Sequence, residues 1–141
     1  MRLVLDTSVL VAAMRSQTGA SRALVKAALE FRIQFLISNP LVLEYEAVLS
    51  RPEHLRASGL GISEVGALID QICSAGIEVR MTQSWRPKLP DPDDEMVLGT
   101  AINGKANAIV TFNRADFVGI QEEFAIEVLS PMDGLKRMEI R

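Results

Sequence analysis

Apolar residues along this chain fall into two kinds of pattern. Short runs rich in apolar and branched side chains predict strands: "RLVL" (Arg2 to Leu5), "IQFLIS" (Ile33 to Ser38), "ANAIVTF" (Ala106 to Phe112) and "AIEVLS" near the end, with "IEVRM" a weaker one. Between them, apolar residues recur at helical spacing. "TSVLVAAMR" can start a helix with Asp6 or Thr7 near its cap. "TGASRALVKAALEF" carries Ala20, Leu24, Ala27, Ala28 and Phe31 on one face. "SNPLVLEYEAVLS" opens with cap residues and places Pro40 in the first turn, where proline is tolerated. "RPEHL" then reads as a break, with His54 a surface or capping residue. "GISEVGALIDQICSAG" predicts a helix from near Ser63, with Ile62, Val65, Leu68, Ile69 and Ile72 on one side. "TQSWRPKLPDPD" reads as a loop marked by prolines, a helix runs from about Asp93 to Asn103, and "PMDGLKRM" predicts a final helical turn.

Strands alternating with helices imply an α/β sandwich with a mostly parallel sheet and right-handed crossovers. The 141 residues fit one domain, 1–141, and no repeat or long linker suggests a second. Composition changes little: 48% hydrophobic and 23% charged residues describe an ordinary soluble globular chain. The single Cys73 cannot form an internal disulfide and reads as a buried thiol in a reducing cytosol, which makes the expected location cytoplasmic. The opening "MRLVLDTSVLVAAM" superficially suggests a signal peptide, but Asp6 interrupts it, and no apolar run reaches the ~20 residues of a membrane span. A net charge of −3 argues against a general nucleic-acid coat without excluding a nuclease whose acidic site is neutralised by metal.

The candidate chemistry is carboxylate chemistry. "LPDPDDEMVLGTA" packs Asp91, Asp93, Asp94 and Glu95 against apolar sequence. Acids are common at helix starts, where the dipole favours them. At about 100° per residue, however, Asp94 shares the stripe of Val97, Leu98 and Ala101, whereas Asp93 and Glu95 fall to either side. An inward carboxylate is costly unless it is paired or binds a metal. Glu44 and Glu46 flank the stripe of Leu41, Tyr45, Val48 and Leu49 on opposite edges, and periodicity does not choose between them. Asp6 follows a strand directly, and Asn113 and Asp116 follow another, at the sheet end where such folds bind ligands. Carboxylates gathered from distant segments repel one another unless a hard cation with oxygen ligands, Mg²⁺ or Mn²⁺, relieves them. Zinc lacks ligands here, since only His54 and Cys73 offer nitrogen or sulfur.

The stretches "LVLDTSVLVAAM", "ISNPLVLEYEAVLSRPE", "LPDPDDEMVLGTAINGKANAIVTFNRADF" and "EVLSP" resemble PIN-domain ribonucleases, and among them the VapC-like toxins of toxin–antitoxin pairs. The resemblance implies a PIN-like three-layer α/β/α sandwich and Mg²⁺- or Mn²⁺-dependent endoribonuclease chemistry. It makes Asp6, Glu44, Asp94 and Asp116 the metal-binding, catalytic acids, with Thr7, Ser8, Thr111 and Asn113 in support. It selects Glu44 over Glu46. One departure stands out: many relatives carry Asp where this chain has Asn113, and the fourth acid here is Asp116. The resemblance also implies an RNA substrate, a homodimer and a cognate antitoxin. Arg15, Arg22, Arg51, Arg56, Lys105 and Arg114 lie near element ends and could contact phosphates. Two rival readings differ in kind. An aspartyl-phosphate phosphotransfer domain would need Asp-x-Asp where this chain has Asp6-Thr7-Ser8. A degenerate PIN fold would act only as a binding module.

Overall fold

The computed structural model describes residues 1–82 and 89–140. Five strands form one parallel sheet in the order β3-β2-β1-β4-β5. They are β1 (Arg2–Leu5), β2 (Gln34–Ile37), β3 (Ile77–Glu78), β4 (Ala108–Val110) and β5 (Glu127–Leu129). Leu3, Val4 and Leu5 in β1 and Ala108, Ile109 and Val110 in β4 are all buried, as the unbroken apolar runs require of strands covered on both faces. The described helices are α1 (Thr7–Arg15), α2 (Ala20–Leu29), α3 (Asn39–Leu49), α4 (Pro52–Ser58), α5 (Ile62–Ala75), α6 (Pro92–Asn103), α7 (Ile120–Phe124) and α8 (Pro131–Arg137), with a 3-10 turn at Arg114–Phe117. The result is the expected three-layer α/β/α sandwich. None of the described helices is long and apolar enough to cross a membrane.

Three buried contacts fix the elements at the carboxyl end of the sheet. The Tyr45 hydroxyl donates to the Leu5 carbonyl, tying α3 to the end of β1. The Ser38 and Thr100 hydroxyls bond at 2.7 Å, joining the cap of α3 to α6. The Asp6 N–H donates to the Val110 carbonyl at 2.9 Å, extending the β1–β4 ladder by one residue. Every strand has its carboxyl end on the same edge, so Asp6, Ser38 and Thr111 open onto one edge of the sandwich.

Several expectations are corrected. "RPEHL" does not merely break a helix: Pro52 is a first-turn proline and opens α4. His54 therefore lies inside a helix, half-buried, with Nδ1 buried and without a hydrogen-bond partner. Cys73 is exposed, because the buried stripe of α5 is Val65, Ile69 and Ile72 and the thiol sits beyond it. Partial burial, then Asp70, Glu46 and Glu78, pushes that thiol above its ordinary range, the opposite of an activated nucleophile. Phe31 falls past the end of α2 at φ 61° and is exposed, so the helical stripe stops at Ala28. The loop expected over 82–93 lies partly outside the described residues, and its last residues already belong to α6.

A carboxylate cleft at the end of the sheet

Asp6 occupies the N-cap position of α1, yet its side chain makes no capping bond. Its Oδ2 instead accepts from the Ser8 hydroxyl at 2.6 Å and from the Thr111 hydroxyl at 2.7 Å. Thr111 is fully buried and also accepts the Asn113 N–H at 2.9 Å, while Ser8 accepts the Phe112 N–H at 3.3 Å. Two hydroxyls thus hold one oxygen of Asp6 and orient the carboxylate, leaving Oδ1 for a ligand in the cleft that Asp6 lines. Ser8 and Thr111, both singled out in the sequence, are the two residues that make these bonds to Asp6.

The cap of α6 is Asp91, whose Oδ1 accepts the Asp93 N–H at 2.9 Å. Asp94 is therefore not needed as a cap. It is 7% exposed, on the buried face with Val97, Leu98 and Ala101, and its Oδ2 is buried without a hydrogen-bond partner. Burial, followed by the charges of Asp6, Asp91, Asp116 and Asp93, pushes its pKa up to about 7. Glu44 is raised too, by burial first and then by Asp93, against the pull of Arg51. Glu46, by contrast, acts on Cys73 on the far side of α3. Periodicity had left these two glutamates open; their surroundings separate them.

These groups share one cleft of about 390 Å³. Thr7, Ser8, Val11, Ala12 and Arg15 line it from α1, and Glu44, Val48 and Arg51 from α3 and just beyond. Asp91, Asp93 and Asp94 come from α6, and Asn113 and Asp116 from the segment after β4. All four acids singled out in the sequence meet here, as do Thr7, Ser8 and Asn113. The helical wheel had assigned Asp93 to solvent, and Asp91 carried no role. Asp91 caps α6 and Asp93 lies in its first turn, and both line the cleft. Of the six basic candidates, Arg15 and Arg51 line it. Arg114 pairs with Asp133 at 3.6 Å, Arg22 donates to the Ala13 carbonyl, and Lys105 sits beside Gly104 at the opposite, amino end of the sheet.

Among the described residues, no three His, Cys, Asp or Glu side chains gather closely enough to hold a metal ion as they stand. The acids converge as a cleft, not on one point, as mutually repelling charges do. The donor set nonetheless fits a hard divalent cation. Its acids are all oxygen donors, it contains a buried carboxylate oxygen with no partner, and the raised pKa values of Asp94 and Glu44 come from burial first and from neighbouring carboxylates second, both of which such a cation would offset.

A sequence model of the family described as PIN domain matches residues 2–115. The match takes in Asp6, Glu44, Asp94 and Asn113 and ends one residue before Asp116. No curated protein matches the chain.

Proposed function

The chain belongs to the PIN domain family, and from that premise we propose that it is a metal-dependent ribonuclease acting through Asp6, Glu44, Asp94 and Asp116. The observation that carries the reading is the buried, unpartnered Oδ2 of Asp94 among carboxylates contributed by separate elements. A fold does not keep such an arrangement for stability, since each charge costs the others. Mg²⁺ or Mn²⁺, when bound, supplies charge neutralisation and Lewis-acid activation of phosphate and water. The four acids would hold it. Ser8 and Thr111 fix the orientation of Asp6, and the Asn113 amide can orient a water or a phosphate oxygen. Residues 1–141 would act as one unit. Cleavage of a labelled RNA in Mn²⁺, followed on a gel, tests the reading. The wild type should cut and Asp94→Asn should not. Cutting that survives EDTA, or survives Asp94→Asn, would sink it. A protein that binds RNA and never cuts it would favour the degenerate binding module, and trapping of phosphate on Asp6 would favour phosphotransfer.

The finer reading, a cytoplasmic VapC-like toxin with a cognate antitoxin, rests on the sequence resemblance. An antitoxin would place a basic side chain, Arg above all, among the carboxylates, because a guanidinium pairs with them bidentately. An apolar groove of about 660 Å³, whose lining includes Met14, Val25, Leu29, Leu60 and Leu68, is the face that a homodimer would cover. Light scattering at high concentration should give a dimer mass, and a strict monomer would count against it. Co-purification with the product of the neighbouring gene, with loss of RNase activity in the complex, tests the antitoxin.

A further inference from the structure

We infer that Arg15 and Arg51 grip the backbone phosphates beside the scissile one, in a single strand of RNA laid along the cleft. The inference rests on the ribonuclease reading of the same cleft and adds the path of the substrate to it.

Both arginines follow cleft-lining residues along the chain. On α1, Ser8, Val11, Ala12 and Arg15 share one face, with Asp6 at the N-cap before them, and each of these residues lines the cleft. Arg15 lies roughly 13 Å from Asp6 along the helix axis, at 1.5 Å per residue. On α3, Glu44 and Val48 line it, and Arg51, the N-cap residue of α4, lines it just beyond them. The cleft therefore brings its carboxylates together with two guanidiniums and with the apolar side chains of Val11, Ala12 and Val48. Among the described residues neither Arg15 nor Arg51 is held in an ion pair, whereas Arg114 and Arg137 are paired with Asp133 and Glu127. Neither guanidinium is locked in an ion pair, although the Arg51 charge does act on Glu44, and both are placed to take a ligand.

A polyanion meets a strongly acidic wall here. Metal can neutralise the acids only locally, so the flanking phosphates need cations of their own. Planar guanidiniums with paired donors suit phosphate oxygens. At about 390 Å³ the cleft is the size of a small-molecule site, so it holds a short part of one strand and not a duplex. The apolar side chains offer no hydrogen-bonding groups, so the grip positions the strand and reads no base edges.

Fluorescence anisotropy of the full chain with a fluorescein-labelled single-stranded oligoribonucleotide, in EDTA over a salt series, tests this without turnover. Each of Arg15→Ala and Arg51→Ala should flatten the slope of log K against log salt by about 0.7, the value of one phosphate contact on a single strand. Arg15→Lys and Arg51→Lys should keep the slope because they keep the charge. Arg56→Ala, outside the cleft lining, should leave both slope and affinity unchanged, and circular dichroism checks that each variant is folded. A folded Arg15→Ala/Arg51→Ala double variant with the wild-type slope overturns the inference, as does wild type that fails to bind. The two readings fail separately. Mn²⁺-dependent cleavage that needs Asp94, with an unchanged slope in the double variant, keeps the nuclease and discards the grip. A slope that depends on both arginines, with no cleavage by wild type, keeps the grip and discards the nuclease.

Discussion

Thr111 and Ser8 spend their hydroxyls on one oxygen of Asp6, and that bond pair is the most exacting feature of the cleft. Groups that hold a metal ligand in place typically cost 10–100-fold in metal affinity or activity when removed. Thr111→Val keeps the shape of a fully buried side chain and deletes the hydroxyl that donates to Asp6 and accepts the Asn113 N–H. It should lower Mn²⁺-dependent RNase activity by about 10–100-fold, with part of the loss recovered at higher Mn²⁺, since the defect is in holding the acid. A loss that no metal concentration relieves would assign Thr111 another role. The glutamates of α3 give a sharper contrast. Glu44 is half-buried and feels Asp93, Arg51, Asp91 and Asp6, whereas Glu46 is exposed on the side of Cys73. Glu44→Gln should reduce cleavage by at least about tenfold, within the usual range for groups around a metal. Glu46→Gln should be nearly silent. Equal effects, measured as initial rates on one RNA, would show that Glu44 is not a site residue.

Elements, in contrast with single residues, were read from the sequence unevenly, and the reasons are physical. Asp94 was legible because a helix repeats its face at three- and four-residue intervals, and Val97, Leu98 and Ala101 fix that face. Glu44 was not, because it and Glu46 sit on opposite edges of one stripe, and only tertiary packing decides which edge meets the cleft. The β4 strand was read too long: it ends at Val110, one more bond runs from the Thr111 N–H to the Leu129 carbonyl, and Thr111 and Phe112 continue the branched and aromatic pattern past the strand end. The α4 helix was missed because a proline ends one helix and opens another equally well. The joint between α6 and β4 was also silent in the sequence. Gly104 has an ordinary negative φ, but a Cβ there would lie 2.5 Å from Leu36 Cδ1, 2.8 Å from Val79 Cγ2 and 3.1 Å from the Thr100 carbonyl. The helix end is pressed against β2 and the residue that follows β3. Gly104→Ala should destabilise the protein by about 1–3 kcal/mol through overpacking, read by urea denaturation. A neutral result would mean that this joint relaxes freely.

For the whole molecule, the cleft makes stability depend on pH with a sign opposite to the usual carboxylate effect. Salt-bridged acids have depressed pKa values and stabilise a fold as pH rises. Asp94 is pushed up to about 7, by burial and then by Asp6, Asp91, Asp116 and Asp93, and Glu44 is raised as well. An unfolded Asp titrates near about 4. Between these values the folded state holds more protons than the unfolded chain, so the free energy of unfolding falls as pH rises. The contribution of Asp94 is complete below about pH 4 and is lost as pH passes through about 7. In EDTA, the wild type should therefore lose ground to Asp94→Asn as pH is raised across this window. The difference in Tm should grow by a few degrees, on the order of 1 kcal/mol after allowance for solvent screening. A divalent cation competes with that proton. Mn²⁺ should raise the Tm of the wild type at pH 7.5 more than at pH 5, and should do little for Asp94→Asn at either pH. Scanning calorimetry of both proteins at the two pH values, with EDTA and with Mn²⁺, measures all four differences. A Tm gap between wild type and Asp94→Asn that stays constant with pH would show that Asp94 does not carry the raised pKa. A Mn²⁺ shift equal in both proteins would place the ion away from this cleft.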